Sequence, residues 1–247
     1  MQSELARDST RPPIWPGADP EDGIGKSIAL GLISFVGDPD AAGPADFFSH
    51  HGQRAAGEPA LRPCNSRSLC AEALPYLQNL APRRSQPRVL ELGPGAGVAA
   101  AEIRHDLPHC RLETISLTPI DPYLWLRPEP GGPGRTPFID RQFVGDIDPA
   151  LAALTGSFDF IYDCFGPVFW HLTEAVRQDS RAPAEGLLQA ILNRLAPGGV
   201  LFVAASEGTH LLEQLLDRLA DATDGVVLFP PRFASTNIRI CILEKSP

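Results

Sequence analysis

From Arg88 onward, short apolar runs alternate with amphipathic stretches, and that alternation constrains the fold more than any other feature of the chain. Arg88-Val89-Leu90-Glu91-Leu92 reads as a strand, and the Ala-rich stretch Val98 to Asp106 as the helix that follows it. Further strands are expected at Leu112 to Leu117, Gln142 to Gly145, Phe158 to Tyr162, Val200 to Ala205, Val226 to Phe229 and Ile238 to Leu243. Leu187, Leu188, Ile191, Leu192 and Leu195 fall at the spacing of a one-sided helix that Ala196-Pro197-Gly198-Gly199 stops, and Leu211, Leu212, Leu215, Leu216 and Leu219 repeat it. Strands separated by helices need crossover connections, so the pattern predicts an α/β fold with a doubly wound, mostly parallel seven-stranded sheet.

The part before residue 88 reads differently. Eleven of the chain's 26 prolines fall there, and they punctuate loops rather than periodic structure. Two helices are expected within it: Lys26 to Val36, and a stretch opened by Asn65 or Ser66 that runs to about Leu80 with Pro75 as a kink. The chain thus divides into a proline-rich N-terminal arm or lid, 1–87, and an α/β domain, 88–247. Two irregular insertions, Pro119 to Pro137 with Tyr123, Trp125 and nearby Phe138, and Arg177 to Pro183, sit where substrate pockets are commonly built.

Composition removes several functional classes. With 21 basic against 30 acidic side chains the net charge is −9, so the chain lacks the positive field that drives non-specific nucleic-acid binding. The longest apolar stretch, Ile28 to Val36, is about half a membrane span. A polar N-terminus carrying acids does not read as a secretory signal. Five cysteines without a C-x-x-C pair argue against a disulfide framework or a zinc knuckle. A reduced, cytoplasmic setting is expected, with neither nucleic acid nor membrane as partner.

The chemistry is expected at Glu91-Leu92-Gly93-Pro94-Gly95-Ala96-Gly97, the first turn from strand to helix. Ligands of open α/β sheets sit outside the carboxyl ends of the strands. Alternate glycines let the backbone approach a ligand and leave amides near a helix N-terminus free to donate. A dinucleotide fingerprint would need Gly or Ala where Val98 stands, which disfavours an NAD-dependent oxidoreductase.

Val89-Leu90-Glu91-Leu92-Gly93-Pro94-Gly95-Ala96-Gly97 resembles the first motif of the class I S-adenosylmethionine-dependent methyltransferases. Gly145-Asp146, Phe158-Asp159-Phe160-Ile161-Tyr162-Asp163 and Leu195-Ala196-Pro197-Gly198-Gly199-Val200 resemble later landmarks of that family, in its order, over roughly Arg88 to Glu244. The resemblance implies a Rossmann-like fold with S-adenosylmethionine as cofactor. It also implies that Glu91, Gly93, Pro94, Gly95 and Gly97 lie along the methionine part of the donor, and Asp146 and Ile147 at its adenine. Asp146 reads equally as a helix N-cap, a role open to Asp148. Where the family places a ribose-binding acid, this chain has Ser116, a weaker acceptor than a carboxylate. Thr118 or Asp121 is positioned to compensate, whereas Glu113 should point to the other face.

Methyl transfer is an in-line displacement that depends on positioning, and a base is needed only for a hydroxyl or an acidic carbon. Tyr162-Asp163-Cys164-Phe165-Gly166-Pro167-Val168-Phe169-Trp170-His171 resembles the family's fourth motif. His171 is the candidate base, and its bland alternative is a half-buried helix histidine. Tyr162 and Asp163 are expected to border the transferring methyl, with Asp163 equally able to cap the next helix. Cys164 as nucleophile, His50-His51 as part of a closing arm, and a metal role for His105 and His109 are weaker readings. The expected activity is O- or C-methylation of a small organic acceptor. The alternative is a methyltransferase-like fold that does not methylate, serving as a binding module or a cofactor-retaining cyclase or isomerase.

Overall fold

A computed structural model describes residues 23–37, 69–123 except 96 and 118, 137–228 except 207 and 224, and 238–247. The N-terminal part supplies α1 (Gly23–Ala29), β1 (Ile33–Phe35), a 3-10 turn at Ala71–Ala73 and α2 (Leu74–Leu80). Then come β2 (Arg88–Leu92), α3 (Val98–Asp106), β3 (Arg111–Ser116), β4 (Arg141–Val144) and α4 (Ile147–Ala153). The second half holds β5 (Phe158–Cys164), α5 (Pro167–Arg177), α6 (Ala182–Leu192), β6 (Leu195–Ala205), α7 (Thr209–Thr223), β7 (Gly225–Leu228) and β8 (Arg239–Lys245).

These strands form one mixed sheet in the order β1-β4-β3-β2-β5-β6-β8-β7. Neighbours from β1 across to β6 are parallel, and β8 alone runs against the rest, pairing antiparallel with β6 on one side and β7 on the other. Winding outward from β2 to β3 and β4, then back to β5 beside β2, leaves the switch point between β2 and β5. That is where a crevice opens at the strands' carboxyl ends.

Both faces of the sheet are covered, which explains why its central strands read as near-continuous apolar runs. Leu90, Leu92, Ile115, Phe143, Ile161, Leu201 and Val203 face α4, α5, α6 and α7. Val89, Leu112, Phe160, Tyr162, Phe202, Ile240 and Ile242 face α2 and α3. Each such side chain contributes about 1.5–3 kcal/mol on burial. Among the described residues no helix is long and apolar enough to cross a membrane.

Three expectations need correction. Lys26 to Val36 is not one helix: α1 ends at Ala29, Gly31 turns the chain with φ 71°, and Ile33–Phe35 form β1. Left-handed glycine stops a helix, and the β-branched and aromatic residues beyond it pair with the open edge of β4. The sheet therefore has eight strands, not seven. Nor does Pro75 kink a helix, because α2 starts at Leu74 and the proline lies in its first turn, where no N–H is needed. The proposed caps Asn65 and Ser66 lie outside the described residues.

Gly145 makes the β1 contact possible. Its φ is 145°, and a Cβ there would stand 2.0 Å from the Val36 carbonyl oxygen. Val36 N–H in turn donates to Val144 O at 2.9 Å. Gly145→Ala is expected to force β1 off β4 and cost about 2–3 kcal/mol. Hydrogen exchange checks this: the Val36 amide should lose its protection while the Leu90 amide keeps it.

Candidate functional site

Four segments converge at the carboxyl ends of β2 to β5. Gly93 N–H donates to Ile115 O at 2.9 Å, tying the glycine loop to β3. Gly145 N–H donates to Ser116 O at 2.9 Å, tying the turn after β4 to the same strand. On the other side the loop touches the start of α5, since a Cβ on Gly93 would stand 2.8 Å from Gly166 Cα and 3.1 Å from Pro167 Cδ. Two glycines thus pack backbone to backbone between β2 and β5.

Within the loop Gly93, Gly95 and Gly97 all take positive φ, at 64°, 57° and 78°. L-residues rarely adopt this conformation, which explains the alternation. Gly97 is the N-cap of α3 and has no side chain to cap it, so the first-turn amides stay available to a ligand.

Glu91 closes β2 from below. It is 3% exposed, and its Oε2 has no hydrogen-bond partner. Burial, reinforced by the charges of Glu102 and Asp163, pushes its carboxyl up to about 8. Its register partner on β3, Thr114, is also fully buried with an unsatisfied Oγ1. Unpaired buried polar atoms are costly, and two of them in register on neighbouring strands call for an explanation that a polar ligand would supply.

Ser116 is half-buried at the end of β3. Glu113 points to the opposite face, as the alternation required, where it pairs with Arg88 at 2.7 Å and Arg111 at 2.9 Å. Asp121, the suggested compensation, instead accepts from Tyr123 N–H at 2.8 Å and packs on Gly23 of α1. Thr118 lies outside the described residues, as do His50 and His51. Asp146 occupies the N-cap position of α4, yet its side chain makes no capping hydrogen bond. Its exposed carboxylate therefore stands beside half-buried Ile147 without engaging the helix.

The three catalytic candidates differ in their commitments. Asp163 is fully buried and accepts from Gly166 N–H at 2.9 Å and Val168 N–H at 3.1 Å. It caps α5 and shapes the turn in which Phe165 is held at φ 55°. Tyr162 is buried between Phe160 and Phe202, and burial, with the nearby Cys164 and Cys70, holds its phenol far above the usual range. Its hydroxyl accepts from Cys70 N–H at 3.0 Å, so it anchors the N-terminal segment. His171 lies one turn into α5 and is half-buried, with Nδ1 2.8 Å from Pro167 O. A carbonyl can only accept, so the hydrogen bond takes an Nδ1–H, which in the neutral tautomer leaves the lone pair on Nε2.

Sequence reasoning did not single out Gly166, Thr114, Glu102 or Cys70. Strand parity places Thr114 beside Glu91, a signal open to reading. Glu102, by contrast, accepts from Leu69 N–H at 2.5 Å across 33 residues, a contact only the fold creates. Among the described residues no group of three potential metal ligands occurs, so His105 and His109 have no third partner.

These features fit the methyl donor that the resemblance implies. The left-handed glycines let the loop pack tightly against Gly166, Pro167, Ile120 and Phe138, α3 offers amides, and Glu91 offers an acid with a vacant oxygen to a cationic ligand.

Residues 65–232 match a protein-family model described as a methyltransferase domain. The fold is similar to that of the plantazolicin methyltransferase BpumL, solved with a pentazolic desmethylPZN analogue and S-adenosylhomocysteine. That likeness has 13% identity over 83% of this chain and 92% of that one, at a TM-score of 0.52. It is also similar to the N-methyltransferase NodS from Bradyrhizobium japonicum WM9 with S-adenosylhomocysteine bound, at 14% identity over 81% and 98% of the two chains and a TM-score of 0.51. No curated protein matches the chain by sequence.

Proposed function

Since this chain belongs to the methyltransferase-domain family and is an S-adenosylmethionine-dependent methyltransferase, we propose that it methylates a small organic acceptor at oxygen or carbon. When bound, the donor supplies a methyl group carried on a sulfonium. Glu91 and the loop Gly93, Pro94, Gly95 and Gly97 hold its methionine part, Ser116 its ribose, and Asp146 with Ile147 its adenine. Asp163 is a positioning residue that fixes the turn carrying Gly166 against Gly93. His171 accepts the acceptor's proton at Nε2.

The observation that carries this reading is the 2.8 Å contact between His171 Nδ1 and Pro167 O in the first turn of α5. Pro167, with Gly166, packs against the glycine loop. Phe165 just before α5 and Phe169 and Trp170 in its first turns have successive ring centroids 5.7 Å and 5.3 Å apart, with Trp170 45% exposed. Such a surface suits an acceptor with an apolar, ring-like body. A net charge of −9 supports a small acceptor over nucleic acid, and cysteine usage supports a cytoplasmic setting. The N-terminal arm, 1–87, is assigned to acceptor choice and 88–247 to the donor.

The test is a screen of phenols, carboxylic acids and activated carbon acids that reads release of S-adenosylhomocysteine. With the acceptor so found, His171→Ala is expected to lower turnover about 10²–10⁴-fold, the usual contribution of general base catalysis, while S-adenosylhomocysteine affinity stays within about twofold. Full turnover in the variant would remove His171 from the mechanism.

A further inference from the structure

Cys70 and Cys164 come from opposite ends of a 94-residue separation, yet their sulfurs stand 3.8 Å apart. The contact is built from both sides. Leu69 N–H donates to Glu102 on α3, and Cys70 N–H donates to the Tyr162 hydroxyl on β5, so two side chains fix the backbone that carries Cys70. Cys164 is the last residue of β5, immediately before the turn that Asp163 shapes. The other two described cysteines are placed differently. Cys110 precedes β3 at the far end of the strands, and Cys241 faces the opposite side of the sheet. All four stand as thiols.

We propose that Cys70 and Cys164 form a reversible disulfide that pins the N-terminal segment to the end of the central strand, at the rim of the donor crevice. A disulfide needs sulfurs about 2.05 Å apart, so they close by about 1.7 Å. Cys70 is half-buried and Cys164 is 8% exposed, so an oxidant meets Cys70 first. The oxidant is a low-molecular-weight disulfide such as oxidised glutathione. The Cys70 thiolate attacks one of its sulfurs, the S–S bond breaks, and one small thiolate leaves. The Cys164 thiolate then attacks Cys70 Sγ and displaces the second. The two protons of the protein thiols go to the two leaving thiolates, and two electrons pass from the protein to the oxidant. The resulting covalent loop contains the glycine loop, Ser116 and Asp146, so every segment assigned to the donor becomes enclosed between bridged ends.

The test uses the full-length wild-type chain, incubated with oxidised glutathione and then alkylated. The expected result is a loss of two titratable thiols, a linked peptide containing Cys70 and Cys164, recovery of both thiols with dithiothreitol, and a higher melting temperature for the oxidised form. In Cys164→Ser, a stable glutathione adduct at Cys70 is expected, with no rise in melting temperature. A persistent adduct at Cys70 in the wild type, a bridge to Cys64, or no thiol loss would each overturn the proposal.

Discussion

Gly93→Ala is expected to cost about 3 kcal/mol of folding stability and to weaken S-adenosylhomocysteine binding by about two orders of magnitude. The added Cβ meets Gly166 Cα at 2.8 Å and Pro167 Cδ at 3.1 Å, backbone and ring atoms that no rotamer change relieves. Gly166 cannot retreat freely, because Asp163 holds its N–H and a Cβ on Gly166 itself would stand 2.4 Å from Leu92 O. Alanine at φ 64° adds about 1–2 kcal/mol of conformational strain, and overpacking adds about 1–3 more. On the proposed donor site, displacement of the loop is expected to remove about two amide hydrogen bonds to the donor, at about 1–1.5 kcal/mol each. Gly186→Ala supplies the contrast. That glycine lies on the exposed side of α6 with nothing within 4 Å of a Cβ, so the same chemical change should stabilise by about 0.5–1 kcal/mol. Urea unfolding of both variants checks the opposite signs.

The second large effect belongs to Glu91. Its carboxyl titrates near 8 in the folded chain against 4.5 ordinarily, with burial the main cause and Glu102 and Asp163 adding to it. The native state therefore binds the proton more tightly than the unfolded state does. Stability is highest below about pH 4.5 from this group alone, falls as pH rises from there, and levels off above about 8. At neutral pH the cost is about 3 kcal/mol, because each tenfold difference in proton affinity between the two states is worth about 1.4 kcal/mol. Glu91→Gln removes that slope, so the wild type minus variant difference in unfolding free energy should decline steadily between pH 5 and 8.

Ligand binding should move the other way. The α-ammonium group of the ligand's amino-acid part favours the ionised carboxylate, so wild-type affinity for S-adenosylhomocysteine is expected to rise with pH up to about 8. Binding near pH 7 should release a proton. The Gln variant should bind about tenfold or more weakly at pH 8, without that pH dependence. A residue that lowers stability while strengthening binding is a signature of a prepared site.

The central sheet was legible because its strands are buried on both faces and announce themselves as apolar runs. The glycine loop was legible because three alternate glycines at a strand end have few purely structural uses. Parity alone told Ser116 from Glu113. Strand β1 was hidden, because three residues carry no periodicity and their pairing depends on an edge provided by β4, more than 100 residues away in sequence. The anchoring role of Tyr162 was hidden for a related reason, and for Asp163 the sequence left capping and bordering the methyl as equal readings. Nearness to the strand end is visible in sequence, but whether a polar group is already engaged by Cys70 N–H or Val168 N–H depends on tertiary contacts. For His171 the residue type pointed to a base, and only the carbonyl of Pro167 fixes which nitrogen can act as one.

Calorimetric titration of the wild-type chain with S-adenosylhomocysteine tests the donor site most directly. Saturable heat at one ligand per chain is expected, with a proton released near neutral pH and the signal lost in Gly93→Ala and Gly95→Val. Absence of heat at millimolar ligand, or unchanged binding in both glycine variants, would contradict a donor site built on Glu91 and the glycine loop.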